Sequence, residues 1–313
     1  MTLVTIITPS YNQAAYLEQT IQSVLNQDYP SVEFIIVDGG STDGSVDIIR
    51  EYQDRLAWWV SEPDEGQADA INKGLAHANG DIVGWLNSDD YYQPGAIKDA
   101  AAMLVSQPAL GMVFGDAITV DQEGNTLNEL DFGAWGLKEL MAFRIICQPS
   151  VFMRNSVLKQ AGGLDKSYHY LLDHQLWIRI AQQAPIQHVP NCLAAARYHS
   201  GAKNVAEAGD FGREVLRIYE WMTTDPDLAP LVEQNPNSIT AGAYRLNGRY
   251  LLDGGMPRKA LQSYWIALRT DPMFALKHWH RMIYAVLSLI GGEGLSKWYY
   301  QLKTRIRKTK FCS

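Results

Sequence analysis

Acidic side chains stand directly after two apolar runs in the first third of the chain. Asp38 follows the run 33–37, and the neighbours Asp89 and Asp90 follow the run 81–86. Adjacent carboxylates repel each other unless they are solvated or hold a cation, and Mg²⁺ or Mn²⁺ commonly takes one or two carboxylates together with phosphate oxygens. The pair therefore predicts a divalent metal shared with a diphosphate. The alternative is that both acids cap the helix that follows near Pro94.

The elements that must position these acids predict an α/β domain. Short apolar runs alternate with amphipathic stretches through the first half of the chain, which is typical of strands joined by crossover helices. Strands are predicted at 3–8, 33–37, 57–60 and 81–86, with helices between them. In an open α/β sheet the ligand binds beyond the carboxyl ends of the strands, so the polar residues there are the candidates for a site.

Four polar segments occupy such positions. They are TPSYN at 8–12, DGGSTDGS at 38–45, EGQAD at 65–69 and NSDD at 87–90. The two glycines after Asp38 let the backbone approach a ligand closely. A turn or a helix cap is the alternative for this segment, and Asp43 fits that alternative better than Asp38 does.

The predicted secondary structure changes in the second half of the chain. Shorter strands are predicted around 112–114, 150–153 and 193–198, with a helix over 173–182. Beyond about 209 the pattern is helical, with one tetratricopeptide-like pair that contains Gly248, Ala260, Tyr264, Ala267 and Pro272. Stacked repeats need about three units to bury a core, so this hairpin docks on the main domain or pairs with another subunit of a homo-oligomer. The predicted divisions are 1–208, 209–275 and 276–313.

Seven motifs, taken together, resemble those of the family 2 inverting glycosyltransferases. In chain order they are TPSYN, VDGGSTDGS, EGQADAINKG, GWLNSDD, CQPSVFMR, GGLD and LLDHQLWIR, and they cover about residues 2–200. The resemblance implies an α/β fold of the GT-A, Rossmann-like, nucleotide-diphospho-sugar transferase type with a helical C-terminal extension. It also implies transfer of a sugar from a nucleotide sugar, a UDP-sugar, to a hydroxyl of a glycan or lipid-linked acceptor, in polysaccharide biosynthesis of the cell envelope.

The same resemblance implies a set of residues around the donor. Asp38 would accept a hydrogen bond from the base or ribose, and Lys203 would neutralise charge on the leaving group. The full donor set is Thr8, Pro9, Tyr11, Asp38, Asp69, Asn72, Ser88 and Lys203. For Asp69 the alternative remains open, because an acid that opens a helix stabilises it without any ligand.

The resemblance also implies a metal site and a general base. Mg²⁺ or Mn²⁺ would be held by Asp89, Asp90 and His199, although a lone histidine also has many structural explanations. The family pattern is often Asp-x-Asp-Asp, and Asn87 stands in the first place here, so Asp89 must be the main ligand. Asp173 would be the general base that takes the proton of the acceptor hydroxyl. An acid in the first turn of a helix is also favoured by the helix dipole alone.

Composition excludes some other classes of protein. A net charge of −7 argues against nucleic-acid binding. The three cysteines, Cys147, Cys192 and Cys312, are too far apart in sequence to predict a disulfide framework or a CxxC metal site, so a reducing cytosol fits best. No signal peptide is expected, and the longest apolar run, 282–290, is too short to span a bilayer.

The last residues suggest where the protein works. Residues 295–313 contain six Lys and Arg and no acid, with apolar residues spaced along one helical face. Such a segment is either an amphipathic helix on an anionic membrane surface or a solvated basic tail. The resulting prediction is a cytoplasmic protein that lies peripherally on the inner face of the cell membrane.

Two other functions compete with this hypothesis. A sugar nucleotidyltransferase shares the α/β plan but needs an early glycine-rich loop with Arg and Lys, which TPSYNQAAYLEQ lacks. A catalytically degenerate scaffold that only binds a nucleotide sugar is the other. It would be supported by Asn87, and by Gln175 where related sequences often carry a second acid.

Overall fold

The computed structural model describes residues 2–199 and 207–290. These residues divide into two compact units. The first comprises 2–140 and 145–199, and the second comprises 141–144 and 207–290. The predicted division at 208 and 275 stays a prediction, and Lys203 lies outside the described residues.

The first unit is built on one sheet, in which nine strands of the described chain take part. The strands are β1 (Val4–Ser10), β2 (Val32–Asp38), β3 (Trp58–Ser61), β4 (Ile82–Trp85), β5 (Tyr91–Tyr92), β6 (Met112–Val120), β7 (Thr126–Leu130), β8 (Val151–Arg154) and β9 (Ile186–Arg197). Their order is β3-β2-β1-β4-β8-β6-β9-β5, and β7 pairs with β6 off this path. Strands β1 to β4 run parallel, whereas β8 is antiparallel to both β4 and β6.

Helices accompany this sheet along the chain. They are α1 (Ala14–Leu25), α2 (Ser45–Tyr52), α3 (Gln67–His77), α4 (Ala96–Ser106), α5 (Leu137–Met141), α6 (Asn155–Gln160) and α7 (Leu172–Gln183), with 3₁₀ turns at Gln53–Arg55 and Gln148–Ser150. All seven residues of β1 are buried, as expected for a central parallel strand covered on both faces. Gly74 of α3 allows close packing, because a Cβ there would lie 2.6 Å from Cγ2 of Ile7.

The four early strands predicted from apolar runs are confirmed to within two residues at each end. The later strands β6 and β9 are longer than predicted. They pair in parallel over most of their length, with register shifts around Gly115 and Asp116. Strand β7 was not predicted, because its residues are mostly exposed and it carries no apolar run.

The second unit is helical. Its helices are α8 (Ala208–Thr224), α9 (Ala229–Gln234), α10 (Pro236–Asp253), α11 (Pro257–Thr270), α12 (Pro272–Leu276) and α13 (Trp279–Ile290). Gly248 of α10 lies against the ring of Tyr264 in α11, since a Cβ there would be 2.9 Å from Cε1. The predicted hairpin and its close-packing glycine are therefore present. Within residues 2–199 and 207–290, no helix combines the length and apolar character needed to cross a membrane.

Residues 141–144 are built into this helical unit. The guanidinium Nη2 of Arg245 donates to the carbonyl oxygen of Phe143 at 2.8 Å, and Gly242 packs on the backbone of Ala142. Phe143 is fully buried and has a φ of 55°, a left-handed conformation that is uncommon for a bulky side chain. The packing of α10 around this segment holds that conformation in place.

Candidate active site

The turn after β4 holds two of the predicted metal ligands, and one of them faces inward. Asp90 is buried, and its Oδ1 accepts a hydrogen bond from the backbone N–H of Arg197 at 2.8 Å. The amide of Asn87 donates to its other oxygen at 3.4 Å. Burial, and then the charge of Asp89, raise the pKa of Asp90 well above its ordinary value. Asp90 thus holds the turn through these two bonds, and its role as a metal ligand stays a prediction.

Asp89 and His199 are brought together across 110 residues of sequence. The Nε2 atom of His199 lies 2.9 Å from Oδ2 of Asp89, and the two side chains are 7% and 18% exposed. The ring of Tyr16 packs beside the imidazole, with centroids 4.9 Å apart. A carboxylate and an imidazole thus share one edge of the sheet, as the sequence predicted.

Arg197, which was not predicted as a site residue from the sequence, holds the Asp89–His199 contact in place. Besides its backbone bond to Asp90, its Nε donates to the carbonyl of Asp89 at 3.0 Å. Its guanidinium also lies 4.8 Å from the ring centroid of Tyr16. Its remaining N–H groups donate to the carbonyls of Asp121 and Gln122 and to Oε1 of Gln19.

Because Arg197 is the last residue of β9, these bonds fix the end of the strand and so position His199, two residues later. The available signal was a charged residue at the end of the apolar run 193–196.

A divalent metal fits this edge only if a ligand completes its coordination. Within the described part of the chain, no three His, Cys, Asp or Glu side chains are grouped to hold an ion by themselves. The carboxylate of Asp89 and the imidazole of His199 supply one oxygen and one nitrogen donor. Mg²⁺ and Mn²⁺ sites that act on phosphates commonly use one or two protein ligands plus phosphate oxygens. The donor set therefore fits a metal shared with a diphosphate.

The turn after β2 is closed by Asp38 itself. This residue is fully buried, and its carboxylate accepts hydrogen bonds from N–H of Gly40 (3.1 Å), from N–H and Oγ of Ser41 (2.9 and 2.6 Å) and from Oγ of Ser61 (2.7 Å). A carboxylate has about four acceptor positions. The geometry thus shows the turn-forming role that was the alternative for Asp38, and a direct bond to a nucleotide would require one of these donors to leave.

Three residues of the predicted donor set, Thr8, Pro9 and Tyr11, come from the first motif, and of these only Tyr11 is exposed at the surface. Thr8 and Pro9 are buried in β1, whereas Tyr11 is 63% exposed. A Cβ at Gly39 would lie 3.3 Å from the ring of Tyr11 and 2.7 Å from Oδ2 of Asp64. The close approach of these three residues leaves an exposed aromatic ring beside a carboxylate, a surface on which a nucleotide base can stack.

The two donor candidates on α3 have structural partners. Asp69 lies 3.1 Å from Nζ of Lys166 and 3.4 Å from Nζ of Lys73. The N–H of Glu65, and then Lys166, lower its pKa. Asn72 exchanges two hydrogen bonds with the backbone of Leu164, at 2.8 and 3.0 Å. These contacts favour the structural interpretation of both residues.

Two further residues link neighbouring elements to the turn after β4. Nε2 of Gln67, at the start of α3, donates to Oδ1 of Asn87 at 2.7 Å. Ser88 is buried, and its carbonyl accepts a bond from the hydroxyl of Thr20, which also donates to the carbonyl of Asp90. Gln67 was missed by the sequence analysis, and Ser88 contributes its backbone to the turn.

Asp173 lies in the first turn of α7, close to the same edge of the sheet. One turn further along α7, Trp177 stacks on Trp85 at the end of β4, with ring centroids 5.4 Å apart. The pKa of the Cys147 thiol is raised, first by burial and then by the charges of Asp90 and Asp173. The helix start and the turn after β4 are therefore gathered in one region.

The residues next to Asp173 have structural roles. His174 is buried, with Nε2 3.0 Å from the carbonyl oxygen of Leu140, and burial lowers its pKa to about 4. Gln175, which stands where related sequences often have a second acid, accepts a hydrogen bond from Nε of Arg179 at 3.0 Å. Asp173 itself is half-buried, and its Oδ1 accepts a hydrogen bond from the backbone N–H of His174 at 2.7 Å.

Comparison with known proteins finds a family match in the first part of the chain. Residues 5–149, a little under half of the chain, match the family model described as Glycosyl transferase family 2. The turns after β1, β2 and β4 lie within the matched residues, whereas Asp173, Arg197 and His199 follow them.

Curated relatives of the chain agree with this match. An uncharacterised glycosyltransferase of Rickettsia conorii is 29% identical over 217 residues, which are 66% of this chain and 36% of that protein. The putative teichuronic acid biosynthesis glycosyltransferase TuaG of Bacillus subtilis is 36% identical over 130 residues, 41% of this chain and 51% of that protein. The chain thus spans about a third to a half of the length of these two relatives.

Solved structures identify the fold. Residues 1–349 of TarS from S. aureus align with a TM-score of 0.63 at 19% identity, covering 93% of this chain and 92% of that one. The mannosyltransferase PcManGT from Pyrobaculum calidifontis, in complex with GDP-Man and Mn²⁺, aligns with a TM-score of 0.61 at 20% identity, covering 97% and 85%. The predicted GT-A fold with a helical C-terminal region is confirmed.

Proposed function

We propose that this protein transfers a sugar, with inversion, from a UDP-sugar to a hydroxyl of a glycan or lipid-linked acceptor. The observation that carries the proposal is the Asp89–His199 pair at the end of β4, with the first turn of α7 held at the same edge by Trp85 and Trp177. One solved TarS structure is a complex with UDP-GlcNAc, and the PcManGT structure holds GDP-Man and Mn²⁺. The similarity to TuaG, a putative teichuronic acid biosynthesis glycosyltransferase, supports a role in polysaccharide biosynthesis of the cell envelope.

On the donor side, Tyr11 stacks on the base, and Asp89 and His199 would hold Mg²⁺ or Mn²⁺ together with oxygens of the diphosphate. A bound divalent ion supplies positive charge where negative charge develops on the leaving diphosphate. Asp90 and Arg197 keep the turn and the last strand in register for this task. Asp38 shapes the adjoining turn. Lys203 stays a candidate for the same diphosphate.

On the acceptor side, Asp173 takes the proton of the attacking hydroxyl. A hydroxyl is a poor nucleophile until a positioned carboxylate removes its proton during the attack. Direct displacement by that oxygen, from the side opposite the diphosphate, inverts the configuration at the sugar carbon. The site must hold the hydroxyl and the donor in line for this single step.

The decisive experiment is the substitution Asp173→Asn. Loss of a general base typically lowers the rate about 10²- to 10⁴-fold, and the amide cannot accept the proton. Transfer should fall by that factor in a donor panel of UDP- and GDP-sugars, while UDP-sugar binding measured by calorimetry stays unchanged. The configuration of the product, read by NMR, tests inversion.

Asp47→Asn is the matched control, because Asp47 also lies in the first turn of a helix and is highly exposed. It should leave transfer unchanged. A variant at Asp173 that retains more than about a tenth of the activity would remove its assignment as the base, since even weak general bases contribute about 10²-fold.

The alternative of a degenerate scaffold has lost its two supporting features. Asn87 accepts hydrogen bonds from Gln67 and Trp85, and Gln175 is bonded to Arg179, so both amides have structural reasons to be present. The cytoplasmic location and the pairing of subunits stay predictions. Membrane contact through 295–313 falls on residues outside the described part of the chain.

A further inference from the structure

A carboxylate and an imidazole that the transfer site does not use lie together in the sheet unit. Nε2 of His188 in β9 is 2.7 Å from Oδ1 of Asp116 in β6, and the two side chains are 15% and 21% exposed. The backbone N–H of Phe132 donates to the same oxygen at 2.9 Å. Both contacts are made by Oδ1, so Oδ2 of Asp116 keeps its capacity to accept a hydrogen bond.

Aromatic rings surround this carboxylate. The fully buried ring of Phe114 lies 5.5, 6.3 and 6.2 Å, between centroids, from the rings of His188, Phe132 and Trp135. Phe132 and Trp135 meet edge to face at 5.2 Å. Both are half-buried and lie in the segment 131–136 between β7 and α5, so part of each side chain is accessible. We call Asp116, His188, Phe132 and Trp135 the aromatic–carboxylate cluster.

The cluster lies at the edge of the sheet that carries the turn after β4. Gly84 of β4 and Val113 of β6 both pair with Phe152 of β8, the antiparallel strand between them, so they are level in the sheet. Asn87 and Asp116 each follow three residues later, and their strands run in the same direction. The Asp116 carboxylate is therefore level with the turn after β4.

A short stretch of chain joins the cluster to the first turn of α7. Trp135 precedes α5, and Nε2 of His174 in α7 lies 3.0 Å from the carbonyl oxygen of Leu140 in α5. The chain from Trp135 to Leu140 spans at most about 12 Å, because its last part is helical. Since His174 directly follows Asp173, the cluster lies near the carboxylate that takes the acceptor proton in the proposed reaction.

A pyranose ring has the chemistry that fits this cluster. Its C–H groups form an apolar face that packs on an aromatic ring, and its hydroxyls donate hydrogen bonds to carboxylates. Small-molecule sites typically combine aromatic walls with a few placed polar groups in this way. A lipid chain would leave the carboxylate without a partner, and a phosphate would be repelled by it.

We propose that the acceptor is a glycan, and that one of its sugar rings stacks on Trp135 and donates a hydroxyl hydrogen bond to Oδ2 of Asp116. His188 and the N–H of Phe132 orient the carboxylate for this contact through its other oxygen. The inference rests on the proposed function, because it names the acceptor class of the same reaction. It selects a sugar at this position over a bare lipid.

Saturation-transfer difference NMR of the full chain tests this inference. The probes are the methyl glycosides of glucose, galactose, mannose and N-acetylglucosamine, with UDP added to fill the nucleotide site, and at least one should bind. Trp135→Leu removes the ring but keeps an apolar side chain, and should weaken that binding about fivefold. Trp135→Phe keeps a ring and should retain most of it. Trp265→Leu is the matched control, since Trp265 of α11 is 58% exposed and lies in the helical unit.

A second pair of variants tests the carboxylate. Asp116→Asn should weaken binding of the same glycoside about tenfold, because a hydrogen bond to a charged acceptor is stronger than one to an amide. Asp99→Asn is its control, since Asp99 is also half-buried and also bonded to β9, through Nδ2 of Asn191 at 2.6 Å. Circular dichroism and the affinity for UDP, measured by calorimetry, should be those of the wild type in every variant.

The proposal is overturned if the wild type binds none of the four glycosides. It is also overturned if Trp135→Leu and Asp116→Asn, folded and with normal UDP affinity, bind the glycoside as their controls do. Either result leaves the test of Asp173→Asn unaffected, because that test measures transfer and not glycoside binding. Transfer retained by Asp173→Asn would instead contradict the general base, with glycoside binding unchanged.

Discussion

Two strand ends of the same sheet carry acids in similar sequence settings, yet their surroundings differ. After β2, the hydrogen-bond donors to the Asp38 carboxylate, Gly40, Ser41 and Ser61, lie within 23 residues of it, and Asp38 is fully buried. After β4, Asp89 and Asp90 are met by Arg197 and His199, more than 100 residues away. The first arrangement is a closed turn, and the second joins distant parts of the chain.

The difference explains why the turn after β4 can bind a ligand whereas the turn after β2 is closed. A buried carboxylate must have hydrogen-bond donors, because leaving it without them is costly. Local donors satisfy Asp38 and leave little capacity for a ligand. At the other turn Asp90 has that structural role, so the neighbouring Asp89 keeps an 18% exposed side chain that contacts His199, a residue type that commonly binds metals. Three substitutions test this contrast.

The largest effect is expected from Asp89→Asn. If the carboxylate helps to hold a metal on the diphosphate, kcat/KM should fall about 10²- to 10³-fold, as when other stabilising groups for developing charge are removed. The melting temperature should change little, since Asp90 and Arg197 still hold the turn. Transfer measured over a Mn²⁺ titration checks this, with Asp28→Asn, a surface acid 57% exposed, as the control. Unchanged transfer at every Mn²⁺ concentration would contradict the assignment.

The Asp89–His199 pair was predicted from the sequence, but Arg197, which holds the pair in place, was not. The early strands were predictable because buried parallel strands leave continuous apolar runs. Asp89 was named from its acidic neighbour and its place after an apolar run, and His199 from the resemblance. For Arg197 the sequence offered only a charged residue after an apolar run, because its hydrogen-bond acceptors come from three separate segments that only the folded sheet brings together.

A smaller effect, on stability, is expected from Asp38→Asn. One carboxylate oxygen becomes an NH₂ group that can no longer accept a hydrogen bond from Gly40, Ser41 or Ser61, and the remaining bonds lose the charge of the acceptor. We therefore expect the free energy of unfolding to fall by about 2 kcal/mol. Urea denaturation measures this, and Asp54→Asn, at an exposed position, should change nothing. The folded fraction of the variant should bind UDP as the wild type does. A large loss of UDP affinity with unchanged stability would restore the direct nucleotide contact that the sequence predicted.

The inward orientation of Asp38 and Asp90 shows what a linear pattern leaves open. Both acids follow buried strands, as Asp89 does, and residue type and spacing are alike in the three cases. Exposure depends on which neighbours fold over each side chain, and for Asp90 the neighbour is the end of β9. The same limit applies to Thr8 and Pro9, which are buried within β1 although their motif follows the predicted strand.

The smallest effect is expected from Asn87→Asp, which restores the acid often found at this place in the family. Asn87 donates to Asp90 and accepts from Gln67 and Trp85. A second carboxylate would repel Asp90, so stability should fall by about 1 kcal/mol while the apparent affinity for Mn²⁺ changes less than about threefold. Thermal melts and a Mn²⁺ titration of transfer measure both, with Asn237→Asp, at an exposed position in the first turn of α10, as the control. If the variant bound Mn²⁺ tenfold more tightly, the side chain at position 87 would contact the metal. Position 87 would then act with Asp89 as a ligand, whereas Asp90 holds the turn.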